Sequence, residues 1–143
     1  MVKAVRIHSD AWNVIVQHVR SVYPLEGCGA MWGLNQDGEV SILSAVALPN
    51  THPGPRSRHY QIEPEALLSA DQQQRSRGLR MLGIFHSHPD ADPYFSAKDL
   101  RDCCPWYLYL VVSVRGGEGT AARCWKPDPS TGTASEVEIL YSV

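Results

Sequence analysis

The chain has 143 residues, 43% of them hydrophobic and 20% charged, with a formal net charge of -2. That is enough chain for one hydrophobic core, and the near-neutral balance carries no electrostatic footprint for nucleic acid or an anionic membrane. No apolar run is long enough to span a bilayer, MVKAVRIHSDAW lacks the apolar core of a secretion signal, and Cys28, Cys103, Cys104 and Cys124 form no C-x-x-C pair, so a cytoplasmic protein with reduced thiols is expected.

Trp12, Ile15, Val16, Val19, Val22 and Tyr23 recur at helical spacing, which predicts a helix over 9–23, capped by Ser9 or Asp10 and stopped by Pro24. EGCGAMWGL reads as a glycine-interrupted strand, and EVSILSAVAL as a second one after a turn at 35–38. The three prolines of PNTHPGPRSRHY make it a loop. A second helix opens at Pro64, a favoured first helical position, and runs to Gly78. LRMLGIFHSH is a strand buried on both faces, PDADPY a loop, SAKDLRDC a short helix and WYLYLVVSV another apolar strand. After the turn RGGEG, AARCWK and EVEILYS complete the strands.

Helices and strands interleave without a repeat or a dividing linker. The expected fold is therefore α/β, a single domain over 1–143 with a mixed β-sheet and helices packed against it. Its centre is expected at the two continuously apolar strands ending near Phe85 and Val114.

The polar cluster IFHSHPDADPYFSAKD at 84–99 interrupts this pattern. On a strand, His86 and His88 share one face, and two imidazoles with one carboxylate leave a tetrahedral zinc an open fourth position. Asp99 could be folded back by the 89–94 loop as the third ligand. Ser96 and Asp99 also have the form of a helix capping box, and a cap would give a metal site the rigid support it needs. Read alone, a His-x-His pair is more often structural than metal-binding, and Glu26, between Pro24 and a glycine-rich strand, is an ordinary solvated turn residue.

Glu26, HSHP at 86–89 and, separated from His88 by seven intervening residues, Ser96 with Asp99 together resemble the JAMM/MPN metallopeptidases. The opening helix, PLEGCG, RHYQIEP and WYLYLVVSV extend the similarity to the compact bacterial members over nearly the whole chain. The resemblance implies a cytidine-deaminase-like mixed-sheet fold and one Zn2+ held by His86, His88 and Asp99. It also implies Glu26 as general base to a zinc-activated water, and Ser96 as hydrogen-bond donor to the oxyanion.

The compact members resemble enzymes that trim the C-terminal tail of ubiquitin-like sulfur-carrier proteins after Gly-Gly, so such a carrier is the expected partner. An extended tail could add to a sheet edge beside the zinc. The protein would be a monomer or homodimer, with no nucleic-acid or membrane partner. The alternatives are a non-catalytic MPN scaffold and an isopeptidase acting on another ubiquitin-like conjugate. A nucleobase deaminase would need His-x-Glu and Pro-Cys-x-x-Cys, which Cys103-Cys104-Pro105 does not supply.

Of the remaining residues, Ser87 is expected on the opposite face as a structural hydrogen-bonder and Cys28 in packing. Arg56, Arg58 and His59 form a small basic cluster, either solvated or in contact with an acidic substrate tail.

Overall fold

A computed structural model describes residues 2–143. In chain order its elements are β1 (Ala4–His8), α1 (Ser9–Val22), β2 (Cys28–Gln36), β3 (Glu39–Leu48), α2 (Pro64–Arg75), β4 (Arg80–Pro89), α3 (Ala97–Asp102), β5 (Leu108–Arg115), β6 (Glu118–Asp128) and β7 (Thr133–Ser142). The strands lie in the order β1-β3-β2-β4-β5-β6-β7 and close into a barrel. Three neighbouring pairs, β1–β3, β1–β7 and β4–β5, are parallel, and the others are antiparallel. The sheet is thus mixed, as the interleaved pattern predicts, and its closure is an addition to that prediction.

The stave that closes it, β1, is absent from the sequence reading. AVRIH turns only Val5 and Ile7 inward, too short an alternation to register as a strand by itself.

The apolar runs of β2, β4 and β5 are explained by burial on both faces. Met31, Phe85, Leu110 and Val112 point into one cluster, where Ala11, Ile15 and Val19 of α1 meet them. Ala30, Trp32, Ile84 and Tyr109 point into a second, covered by Ala70 of α2. The β2–β3–β4 contact is close enough to require glycine: a Cβ on Gly29 would stand 2.2 Å from the Val46 carbonyl oxygen and 2.4 Å from the Phe85 ring.

Two boundaries differ from expectation. The cap of α1 is His8, whose Nδ1 accepts from the Asp10 amide, because Ser9 already has helical geometry. α2 ends at Arg75, and its last turns tighten until Gly78 reverses the chain at φ +79°. No helix among the described residues is long and apolar enough to cross a membrane.

Candidate metal centre and surrounding site

His86 and His88 close β4, and the pleat places both imidazoles on one side of it with 0% and 7% exposure. Their Nε2 atoms are 3.2 Å apart. Asp99 Oδ2 lies 3.3 Å from the first and 3.6 Å from the second.

The carboxylate is delivered by a capping box. Ser96 Oγ accepts from the Asp99 amide at 2.9 Å, and the Ser96 amide donates to Asp99 Oδ2 at 3.0 Å. The oxygen that completes the cap is therefore the one that faces the histidines. The cap and ligand readings of Ser96 and Asp99 are one geometry.

Three donor atoms at these separations fit a single ion. Ligands bound about 2.0–2.2 Å from a tetrahedral zinc stand roughly 3.3–3.6 Å from one another. Two nitrogens and a carboxylate oxygen are also the donor set zinc prefers. His88 is held in the required tautomer when neutral. Its Nδ1 is 2.9 Å from the Asp92 carbonyl, which can only accept, so the proton sits on Nδ1 and Nε2 offers its lone pair to the cluster. His86 Nδ1 has no hydrogen-bond partner, and its ring is fixed instead by stacking on Tyr60, centroids 4.5 Å apart. Tyr94 meets His88 edge-on at 5.0 Å.

Charge preferences at His86 and Asp99 agree with this arrangement, whereas His88 favours its proton until an ion displaces it. Burial lowers the pKa of His86 and favours a neutral ring. Burial opposes ionisation of Asp99, but hydrogen bonds from both histidines outweigh it and hold the carboxyl well below its usual range. For His88, burial is outweighed by its bonds to Asp99 and the Asp92 carbonyl, so the pKa rises.

Glu26 arrives from sixty residues away through strand register. Cys28 pairs with His86 in the antiparallel β2–β4 ladder, so one step beyond the strand Gly27 faces Ser87, and at the next step Glu26 faces His88. Ser87 secures that extension twice: its amide donates to the Gly27 carbonyl at 3.0 Å, and its Oγ accepts from the Gly27 amide at 2.8 Å. On the other side the Glu26 amide donates to the Arg56 carbonyl, and Asn50 Nδ2 donates to the carbonyls of both Glu26 and His59. Glu26 is consequently only 7% exposed, and burial above all pushes its carboxyl up to about 7; Asp99 adds to the rise, and His88 and Lys98 oppose it.

Glu26, His88, Ser96 and Asp99 line one cavity of about 410 Å³, together with Arg58, His59, Tyr60, Tyr94 and Lys98. All five residues singled out in the sequence thus come together, with His86 forming the floor behind His88.

Asn50, Asp92, Tyr60 and Tyr94 escape sequence reasoning. Asn50 acts through its side-chain amide on distant backbone groups, Asp92 through its own carbonyl and the two tyrosines through ring faces, none of which leaves a spacing signature. Cys28 is buried, its thiol 3.5 Å from the Leu48 carbonyl and pushed up to about 12 by burial, which suits packing. The sheet-edge expectation needs correction. β4 is paired with β5 as far as Pro89 and held to β2 through Ser87, so no barrel edge is open at the histidines. The cavity walls are loops from 57–60 and 89–96 and the start of α3.

A family model for prokaryotic homologues of the JAB domain matches residues 8–128. The chain belongs to that family. Among JAB relatives, a desampylase of Haloferax volcanii is 34% identical over 113 residues, covering 76% of this chain and 79% of the relative. A probable TtuB-protein conjugate cleaving protease of Thermus thermophilus is 34% identical over 99 residues, 69% of this chain and 63% of the relative. A solution structure of a Desulfitobacterium hafniense protein superposes with a TM-score of 0.81 at 26% identity, covering 96% of this chain and 92% of that one.

Proposed function

We propose that this JAB-family chain is a zinc-dependent peptidase or isopeptidase that hydrolyses the amide bond after Gly-Gly in the C-terminal tail of a ubiquitin-like sulfur-carrier protein. The observation that carries the reading is the convergence of His86 Nε2, His88 Nε2 and Asp99 Oδ2 within 3.6 Å, with buried Glu26 opposite His88. Relatives named for cleaving ubiquitin-like conjugates support the substrate class.

His86, His88 and Asp99 would hold a zinc ion, which would supply Lewis acidity to polarise a carbonyl and to make a water acidic enough to lose its proton near neutrality. The protein's own residues do the rest. Glu26 is desolvated and poised near pH 7, so it can take a proton from the attacking water and return it to the departing amine. Ser96 Oγ accepts its bond from the Asp99 amide and keeps its own hydrogen free to donate to an oxyanion in the cavity. Tyr60 and the closed β2–β4–β5 ladder exclude water from behind His86. The tail lies against the cavity's loop walls, where glycine lets the backbone approach closely.

Mass spectrometry of a carrier bearing an extension beyond Gly-Gly, after incubation with zinc-loaded protein, tests this. Loss of the extension with wild type but not with Glu26→Gln is expected. A carrier left intact by active, metal-bound protein would remove the substrate claim, and cleavage of only a lysine-linked conjugate would move the reading to an isopeptidase. Intact substrates of both kinds would leave the scaffold alternative.

A further inference from the structure

The cavity wall holds more positive charge than the proposed chemistry uses. Arg58 and Lys98 both line it, beside His59, whose pKa is lowered by burial and by these two cations, whereas Arg56, the other arginine of that loop, does not. Arg58 has no carboxylate within ion-pair distance among the described residues. Lys98 sits between the cap and Asp99, and its ammonium is 3.1 Å from Asp102 Oδ2 one turn on, in a pair open to solvent. That pair is weak and leaves two ammonium hydrogens uncommitted.

Lys98 also stands where the main cavity meets a smaller recess of about 190 Å³, which shares Tyr60, Lys98 and Asp99 with it and adds Gln61 and Asp102. The negative groups of the main cavity are already engaged: Asp99 Oδ2 faces both imidazoles, and Glu26 is buried opposite His88. A guanidinium without a partner and a lysine lining the same cavity are a donor set suited to a carboxylate.

We infer that Arg58 and Lys98 form a subsite for a carboxylate carried by the segment the enzyme releases. The inference rests on the proposed peptidase reading. Glycines on the retained side of the cut have no side-chain carboxylate, so the anion must come from the released side. It is either the terminal α-carboxylate of a short extension or an acidic side chain within it. The ε-amine of a lysine-linked conjugate brings no carboxylate so close to the cut. The subsite therefore favours trimming of a free tail over opening of an isopeptide.

The test uses zinc-loaded protein and four semisynthetic forms of the ubiquitin-like carrier: one ending Gly-Gly-Ala as the free acid, the same chain as its C-terminal amide, and amides ending Gly-Gly-Glu and Gly-Gly-Gln. The expected result is a kcat/KM roughly tenfold higher for acid over amide, or for Glu over Gln, the size of one charge-assisted hydrogen bond. Whichever pair shows it names the source of the anion. The ratio should fall toward one in the Arg58→Gln, Lys98→Gln double variant, survive in Arg58→Lys, and shrink with added salt. Each ratio is taken within one protein, so a change in the amount of folded enzyme cancels.

Equal hydrolysis within both pairs overturns the subsite alone, as does a preference that persists in the double variant. Hydrolysis of none of the four by wild type overturns the peptidase reading and the subsite with it.

Discussion

Glu26 shows how one side chain's environment sets both chemistry and stability. Its carboxyl is harder to ionise in the fold than in an unfolded chain, so the native state keeps the proton until about pH 7 while the unfolded state releases it near 4.5. The native state binds more protons across that window, and stability falls as pH climbs through it. In metal-stripped protein, Glu26→Gln should therefore be more stable than wild type at pH 8, by up to about 3 kcal/mol, with the difference gone by about pH 4. Urea unfolding at the two pH values measures it, and equal midpoints at pH 8 would contradict the desolvated carboxyl. In zinc-loaded protein the same substitution should lower kcat by roughly 10²–10⁴ without changing metal content. A residue that makes the fold less stable where the enzyme works is expected of a general base.

At the scale of elements, the site depends on two short pieces of regular structure. One is the continuation of the β2–β4 ladder past Cys28, which Ser87 fixes from both its amide and its hydroxyl. The other is α3, six residues long, whose direction is set by the Ser96–Asp99 box. Ser96→Ala should act in two separable ways. It removes a cap, costing about 1 kcal/mol in thermal or chemical unfolding. It should also remove the proposed oxyanion donor, costing roughly 10²–10³ in kcat. Ser96→Asp, a good cap with no hydrogen to donate near neutral pH, should recover the stability and not the turnover. Recovery of both would reduce Ser96 to a cap.

For the whole molecule, the closed barrel gives the metal cluster a rigid floor. The central strands β2, β4 and β5 are buried on both faces, so the histidines hang from the least deformable part of the sheet. Ion binding to a site already shaped in the fold stabilises the native state by mass action. Wild-type protein should bind one equivalent of zinc and melt at a higher temperature than after chelation. Asp99→Ala should show neither the metal nor the shift, as read by metal analysis and calorimetry. A melting temperature indifferent to chelator would argue against the three-residue site.

Most of the elements were legible in the chain because their signals are local. The period of α1, the unbroken apolar runs of β4 and β5, and Pro64 at the start of α2 each depend only on near neighbours. The candidate donor cluster was legible for the same reason, since His86, His88 and Asp99 lie within fourteen residues. β1 was not, because five residues carry too little periodicity, and its role as the closing stave exists only once β3 and β7 lie on either side of it. Nor could local sequence distinguish Glu26 from any glutamate in a turn. Only the likeness to a family pointed to it, and only the antiparallel register, the burial that follows, its own bonds to Asn50 and Arg56 and those of neighbouring Gly27 to Ser87 bring it beside the histidines. The sequence by itself determined what short-range periodicity and spacing encode: which segments are strands and helices, and which donors could share an ion. The tertiary structure alone decided what depends on strands distant in sequence lying side by side: the closure of the sheet, the elevated pKa of Glu26, and the presence of Arg58 and Lys98 in one cavity.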